Sequence, residues 1–116
     1  MSTEVLTVNL DLSALSAAKL MNEHRVSSLL VEEKKIPIGI VTKRDFLRKI
    51  TALDKKPNSV KVSSIMSRPL LTINEDSSIP VAVKNMRESG VRRLAVFREE
   101  KVVGIITLTD ISRYLL

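Results

Sequence analysis

Apolar and polar positions along this chain fall into a pattern that is used twice. Small or apolar residues at Ala14, Ala17, Ala18 and Met21 follow the i, i+3, i+4, i+7 spacing that predicts an amphipathic helix. The same stripe returns at Ile79, Ala82, Val83 and Met86. A short β-like run precedes each stripe, Val5-Leu6-Thr7-Val8 and Leu70-Leu71-Thr72-Ile73, and each is followed by Asn and an acidic helix-start signal. Asp11 or Ser13, and Asp76 or Ser78, are the N-cap candidates. Gly90 reads as the residue that ends the second helix, with Arg25 in its place in the first.

Two more predicted strands follow in each copy. Residues 28–32 and 93–97 lead through the charged turns Glu33-Lys34-Lys35 and Arg98-Glu99-Glu100 into residues 38–42 and 102–107. A second helix then begins near Lys43 and Arg44, and again near Thr109. It carries Phe46, Leu47 and Ile50 in one copy and Ile111 and Leu115 in the other. The unit is β-α-β-β-α, twice. Residues 52–59 read as a polar linker, and residues 59–66 as a short helix that ends before Pro69.

An offset of 65 positions superimposes residues 71–116 on 6–51 without a gap, and 17 of the 46 aligned pairs are identical. A repeat of this kind sets the fold before any finer reading. The division expected is residues 1–51, a linker with a short helix at 52–68, and residues 69–116. The fold class is α/β (α+β), two pseudo-symmetric units packed together, because each half alone is too short to bury a sufficient core. Any site at the junction of the halves then arises twice.

The net charge of +6 changes the picture only a little. The first repeat carries +3, residues 52–70 another +3 and the second repeat +1, and Glu4 supplies the remaining −1. A basic surplus attracts phosphates, but Phe46, Phe97 and Tyr114 are the only aromatic residues, too few for a single-strand stacking platform. With no cysteine, no apolar run of membrane-spanning length and no signal-peptide pattern, a cytoplasmic protein is expected. His24 has no second His or Cys beside it in sequence to make a metal set, and a surface or capping role is expected for it. Ser27, Ser28, Ser63 and Ser64 lack a base partner, so no catalytic residues and no enzyme activity are expected.

The ordered tandem of Gly39-Ile40-Val41-Thr42-Lys43-Arg44-Asp45 and Gly104-Ile105-Ile106-Thr107-Leu108-Thr109-Asp110 resembles the CBS (cystathionine β-synthase) domain pair, or Bateman module. His24-Arg25-Val26-Ser27-Ser28-Leu29, Val91-Arg92-Arg93-Leu94 and Ser64-Ile65-Met66-Ser67-Arg68-Pro69 support the likeness, which covers nearly the whole chain. Such modules bind adenosine-containing ligands (AMP, ADP, ATP or S-adenosylmethionine) as effectors in two clefts between the halves. The resemblance implies a regulatory sensor without a catalytic cofactor. It also implies a homodimer of pairs and an effector protein that receives the ligand signal.

By the same resemblance, one nucleotide-binding cleft combines Thr107, Thr109 and Asp110 with Arg92, Arg93, Val26 and Ser27 and the backbone of Leu6 and Thr7. The hydroxyls and a helix N-terminus with free amides would hold phosphate, Asp110 would accept from a ribose, and Val26 would contact adenine. A charged hydrogen bond of this kind contributes roughly 1.5–3 kcal/mol. On a period-two strand only one of Arg92 and Arg93 can face the cleft. The pseudo-symmetric second cleft combines Thr42, Arg44 and Asp45 with Val91, Arg92, Leu71 and Thr72. There Arg44 replaces a hydroxyl, so the Asp110 cleft is expected to be the tighter.

Simpler roles compete with these. Asp45 and Asp110 can cap helices, Gly39 and Gly104 can permit close packing, and Met21 and Met86 can be core. Two other functions remain open from the residues alone: a basic nucleic-acid-associated protein, and a purely structural dimerisation module.

Overall fold

The computed structural model describes the backbone of residues 5–115 and the side chains of residues 5–112. Residues 1–4 of the expected first unit, and the core contribution expected of the Leu115 side chain, lie outside the described residues. Leu6–Leu70 form one compact unit, and the residues from Leu71 onward form another. Each unit holds one three-stranded sheet, so the α/β class and the repeated β-α-β-β-α order stand as the sequence predicts.

In the first unit, β1 (Thr7–Asn9) runs parallel to β2 (Ser28–Glu33), which pairs antiparallel with β3 (Ile36–Thr42). Helix α1 (Ala14–His24) connects β1 to β2. Asn9 Oδ1 accepts from the amide of Asp11 at 2.9 Å and turns the chain. Ser13, not Asp11, is the N-cap, accepting from the amide of Ser16 at 3.1 Å. Arg25 ends the helix with φ 55°, a left-handed residue where the second copy has Gly90 at φ 66°.

The buried stripe Ala14, Ala17 and Met21 packs with Val8, Leu29, Val31 and Val41, so alternate residues of the strands feed one core. Helix α2 (Lys43–Phe46) then continues as a π-helical turn over Leu47–Thr51, which buries Ile50.

The inter-repeat segment departs from expectation. No helix spans 59–66; two separate 3₁₀ turns, Pro57–Ser59 and Val62–Ser64, take its place. Nor is the segment a solvated spacer beyond residue 59. Val62, Ile65 and Met66 are buried members of the first unit's core. The amides of Val62 and Ser63 donate to the carbonyls of Leu12 and Leu10, at 2.9 and 3.1 Å. Ser67 bonds both ways with Ile40, at 2.8 and 3.1 Å, along the open side of β3. Val62, Ile65 and Met66 thus supply the lid of a core that residues 6–51 leave incomplete.

The second unit repeats the plan. β4 (Thr72–Asn74) is parallel to β5 (Arg93–Arg98), and β5 is antiparallel to β6 (Lys101–Thr107). α3 (Ile79–Ser89), capped by Ser78, and α4 (Leu108–Leu115) complete it. Ile73, Ala82, Met86, Leu94, Val96 and Ile111 form its buried core.

Candidate functional site

Each unit turns from its last strand into a helix at Thr-x-x-Asp, and the two corners share one hydrogen-bond scheme. At the second corner the amide of Thr107 donates to Asp110 Oδ2 at 3.0 Å, and the amide of Asp110 donates to Thr107 Oγ1 at 3.1 Å. This reciprocal capping box satisfies two backbone donors at once. The amide of Leu108 is also engaged, donating to the Arg92 carbonyl at 2.9 Å. The helix start is therefore less open than the sequence suggests, since the amides of residues 107, 108 and 110 already have acceptors.

Register brings the arginines to this corner. Arg93 pairs directly with Thr107 across β5 and β6, and cross-strand partners project from the same face of a sheet. That face also carries Ala95 and Ile105, opposite to the Leu94 and Val96 face that meets the core. Arg92, one residue earlier, is exposed and contributes its carbonyl instead. The corner thus gathers Thr107, exposed Thr109, Asp110, half-buried Arg93 and the Arg92 backbone within one unit.

The first corner has the same frame, with a shorter amide contact to its carboxylate and two longer contacts around it. Thr42 donates to Asp45 Oδ2 through its amide at 2.8 Å and its hydroxyl at 3.2 Å. The amide of Asp45 lies 3.4 Å from Thr42 Oγ1. The amide of Lys43 donates to the Ser27 carbonyl at 3.2 Å. The ammonium of Lys49 sits 3.1 Å from Asp45 Oδ1 and donates to the Ile65 carbonyl at 2.8 Å. Among the described residues Asp45 is the buried charged one, at 8% exposure, while Arg44 is an exposed side chain.

The remaining expected positions lie on the strands' ends. Val26 and Val91 are half-buried beside the two cores, and Ser27 is exposed. The carbonyls of Leu6 and Leu71 do not face outward as expected for a reader of an adenine edge. They accept from the amides of Leu30 and Ala95, at 2.9 and 3.0 Å. In a parallel pair the next residue's groups point the other way, so Thr7 and Thr72 carry the outward-facing backbone of these edge strands.

With this geometry in hand, comparison with known proteins decides the family. The CBS domain profile matches residues 1–52 and 62–116. The chain belongs to the CBS domain family. Among curated CBS relatives, an uncharacterized protein of Methanopyrus kandleri, MK0525, is 39% identical over 110 residues, which cover 93% of this chain. The chain spans about half of that relative's own length, 56%.

The hexameric CBS-CP12 protein from bloom-forming cyanobacteria superimposes with a TM-score of 0.87 at 29% identity, over 97% of this chain and 66% of that one. The CBS domain pair of protein MJ0100, in complex with 5-methylthioadenosine and S-adenosyl-L-methionine, gives 0.81 at 28% identity, over 99% and 94%. The architecture here is therefore that of a CBS pair with two repeated units, and CBS pairs are regulatory modules. Relatives of this kind are generally non-catalytic, and hexameric ones exist. No helix of the described residues is long and apolar enough to cross a membrane.

Lys49 is the residue that sequence reading missed at these CBS corners. Its i, i+4 spacing from Asp45 is visible in the sequence. Its second partner, a carbonyl sixteen residues away in the inter-repeat segment, is not.

Proposed function

We propose that this CBS pair is a ligand-responsive regulatory module that binds an adenosine-containing effector, AMP, ADP, ATP or S-adenosylmethionine, and relays its presence to a protein partner. The observation that carries the reading is the second corner. There strand register sets Arg93 beside Thr107, one turn from Thr109 and Asp110. A cation, two hydroxyls and a carboxylate in that order suit a nucleoside that carries an anionic group, a phosphate or a carboxylate, and whose sugar donates to the protein carboxylate. The solved relative that holds two adenosine derivatives supports the ligand class.

Within this proposal the sugar and any phosphate fall to Thr107, Thr109, Asp110 and Arg93. By the family resemblance, the base falls to Val26 and Ser27 with the outward backbone of Thr7. Thr42, Arg44 and Asp45, with Val91 and Thr72, form the pseudo-equivalent set. We place the module in a homo-oligomer, of which a dimer of pairs is the simplest. Signal transfer follows from any difference in ligand affinity between two arrangements of the assembly.

Calorimetric titration with AMP, ADP, ATP and S-adenosylmethionine tests the reading. Saturable binding of at least one, weakened ten-fold or more by Asp110→Ala, is expected; no saturable binding to any of the four would remove the proposal.

A second reading has one observation in its favour. A groove of about 540 Å³ on the inter-repeat segment is lined by Lys55, Lys56 and Lys61 with Ser59, Ser63 and Ser64. Lys55 and Lys56 make no ion pair or side-chain hydrogen bond among the described residues. A nucleic-acid ligand there would bind with a steep salt dependence that adenosine ligands do not compete away.

A further inference from the structure

The geometry points to Lys49 as a relay: a ligand that engages the Asp45 carboxylate releases the lysine from it, and the release loosens residues 62–67 of the inter-repeat segment. This inference rests on the proposed adenosine-binding reading and adds the route by which occupancy of that corner is passed on.

All the parts lie within the unit formed by Leu6–Leu70. Asp45 Oδ2 already accepts from the Thr42 amide and hydroxyl, at 2.8 and 3.2 Å. Asp45 Oδ1 faces the Lys49 ammonium at 3.1 Å. A sugar hydroxyl that donates to this carboxylate therefore has Oδ1 as its more open acceptor, and there it competes with the ammonium.

The lysine is the member of the pair that yields. Its side chain is 41% exposed and stands on a flexible four-carbon stem, with solvent to move into. The carboxylate is 11% exposed and is pinned by Thr42.

What a displaced Lys49 leaves behind is the Ile65 carbonyl, to which the ammonium donates at 2.8 Å. No backbone amide of the described residues outside helices and strands donates to that carbonyl. Ile65 itself is buried, at 2% exposure. An unpaired carbonyl beside a core favours any local opening that returns it to water.

The stretch around it is suited to small openings. The Val62–Ser64 3₁₀ turn is short, and the chain on either side hangs on single backbone bonds to its unit. The amides of Val62 and Ser63 donate to the carbonyls of Leu12 and Leu10, and Ser67 is bonded to Ile40. Val62, Ile65 and Met66 stay anchored in the core, so the segment loosens without detaching. It runs on to Leu70, and the other compact unit resumes at Leu71. The relay thus acts on the covalent connection between the repeats.

Amide hydrogen exchange at Val62, Ser63 and Ser67 tests the relay, with calorimetry to establish saturation. Without ligand, Lys49→Met, which keeps the apolar stem and removes the cation, is expected to speed exchange at these amides about three- to ten-fold. Hydrogen bonds to charged groups set that scale, reduced here by the lysine's exposure. Saturating AMP is expected to speed the same amides in the unaltered protein and to add less than about twofold in Lys49→Met. Where AMP does not bind, whichever of ADP, ATP and S-adenosylmethionine binds takes its place.

Unchanged exchange in ligand-free Lys49→Met would overturn the relay whether or not any nucleoside binds. Saturable binding that leaves the three amides unchanged, or slows them, would overturn the relay and leave the adenosine reading intact. So would an acceleration that persists in full in Asp45→Asn. If Asp45→Asn does not fold, the ligand response of Lys49→Met serves as that control. No saturable binding of any of the four would remove the adenosine reading and the relay's ligand step together, even if Lys49→Met loosens the segment.

Discussion

A β-carbon placed on Gly39 would stand 2.7 Å from the carbonyl oxygen of Ser67, and 2.9 Å from the sulfur of Met66. The carbonyl cannot retreat freely, because it accepts from the amide of Ile40 at 3.1 Å while the Ser67 amide donates back at 2.8 Å. The glycine of the Gly-x-x-Thr-x-x-Asp run is therefore a seat for the inter-repeat segment. Its motif membership alone says nothing of that. Gly39→Ala is expected to destabilise the protein by about 1–3 kcal/mol, the usual range for forcing a group into a filled site. Denaturant titration measures it, and a loss below about 0.5 kcal/mol would show that the segment moves aside at little cost.

Much of this fold was legible because its signals are local. The helix stripes, the Asn turns and the serine N-caps depend on residues within four positions of each other, and each appears where the period predicts. The inter-repeat segment was not legible. Val62, Ile65 and Met66 lie at spacings that suit a short helix, and their burial is decided by a core built from residues between Val8 and Ile50. The π-helical turn at Leu47–Thr51 is likewise set by packing, since its residues are ordinary helix formers. At the corners, Thr-x-x-Asp spacing fits both a capping box and a sugar-binding carboxylate. At Asp45 the sequence shows Lys49 four residues on, but not the distant carbonyl that holds it there.

The two hairpin tips carry side chains that their geometry disfavours. Lys34 and Lys35 have φ of 50° and 67°, and Glu99 and Glu100 have 48° and 67°. Glu33 pairs with Ile36 and Arg98 with Lys101, so each loop has two residues, both left-handed, as in a type I′ turn. A residue with a β-carbon costs roughly 1 kcal/mol there. Replacing Lys34-Lys35 by Asn-Gly is expected to raise unfolding stability by about 1 kcal/mol, and replacing it by Ala-Ala is not. Denaturation of the three proteins side by side decides it; equal stability of all three would mean the tips carry no strain.

Glu75 and Arg98 tie the end of β4 to the end of β5, with Arg98 Nε donating to Glu75 Oε1 at 2.6 Å. The hydrogen bond from Arg98, more than its charge, holds the Glu75 carboxyl below its ordinary 4.5. A lowered folded value means the folded state prefers the ionised form. The pair's contribution is then complete above about pH 4.5 and is lost as pH falls through the folded value. Both groups are open to solvent, so the effect is small and screened by salt. Comparing Tm at pH 7 and pH 3 is expected to show a smaller acid-induced drop for Glu75→Gln than for the unaltered protein at low salt. Identical drops would show the pair to be idle.

Arg92 and Arg93 give the sharpest separation at the proposed site, because only Arg93 is paired in register with Thr107. Arg93 lies opposite Thr107 in register and shares its face, whereas Arg92 is exposed, precedes the first residue of β5 and holds Leu108 through its carbonyl. A charged hydrogen bond to phosphate is worth roughly 1.5–3 kcal/mol, about ten- to a hundred-fold in affinity. Arg93→Ala is therefore expected to weaken AMP by that factor and to weaken S-adenosylmethionine, which has no phosphate, by much less. Arg92→Ala, whose backbone role survives the substitution, is expected to change AMP affinity by less than about threefold. Calorimetry on the two variants settles the order. Equal losses, or a larger loss at Arg92, would move the phosphate away from the face that Arg93 shares with Thr107.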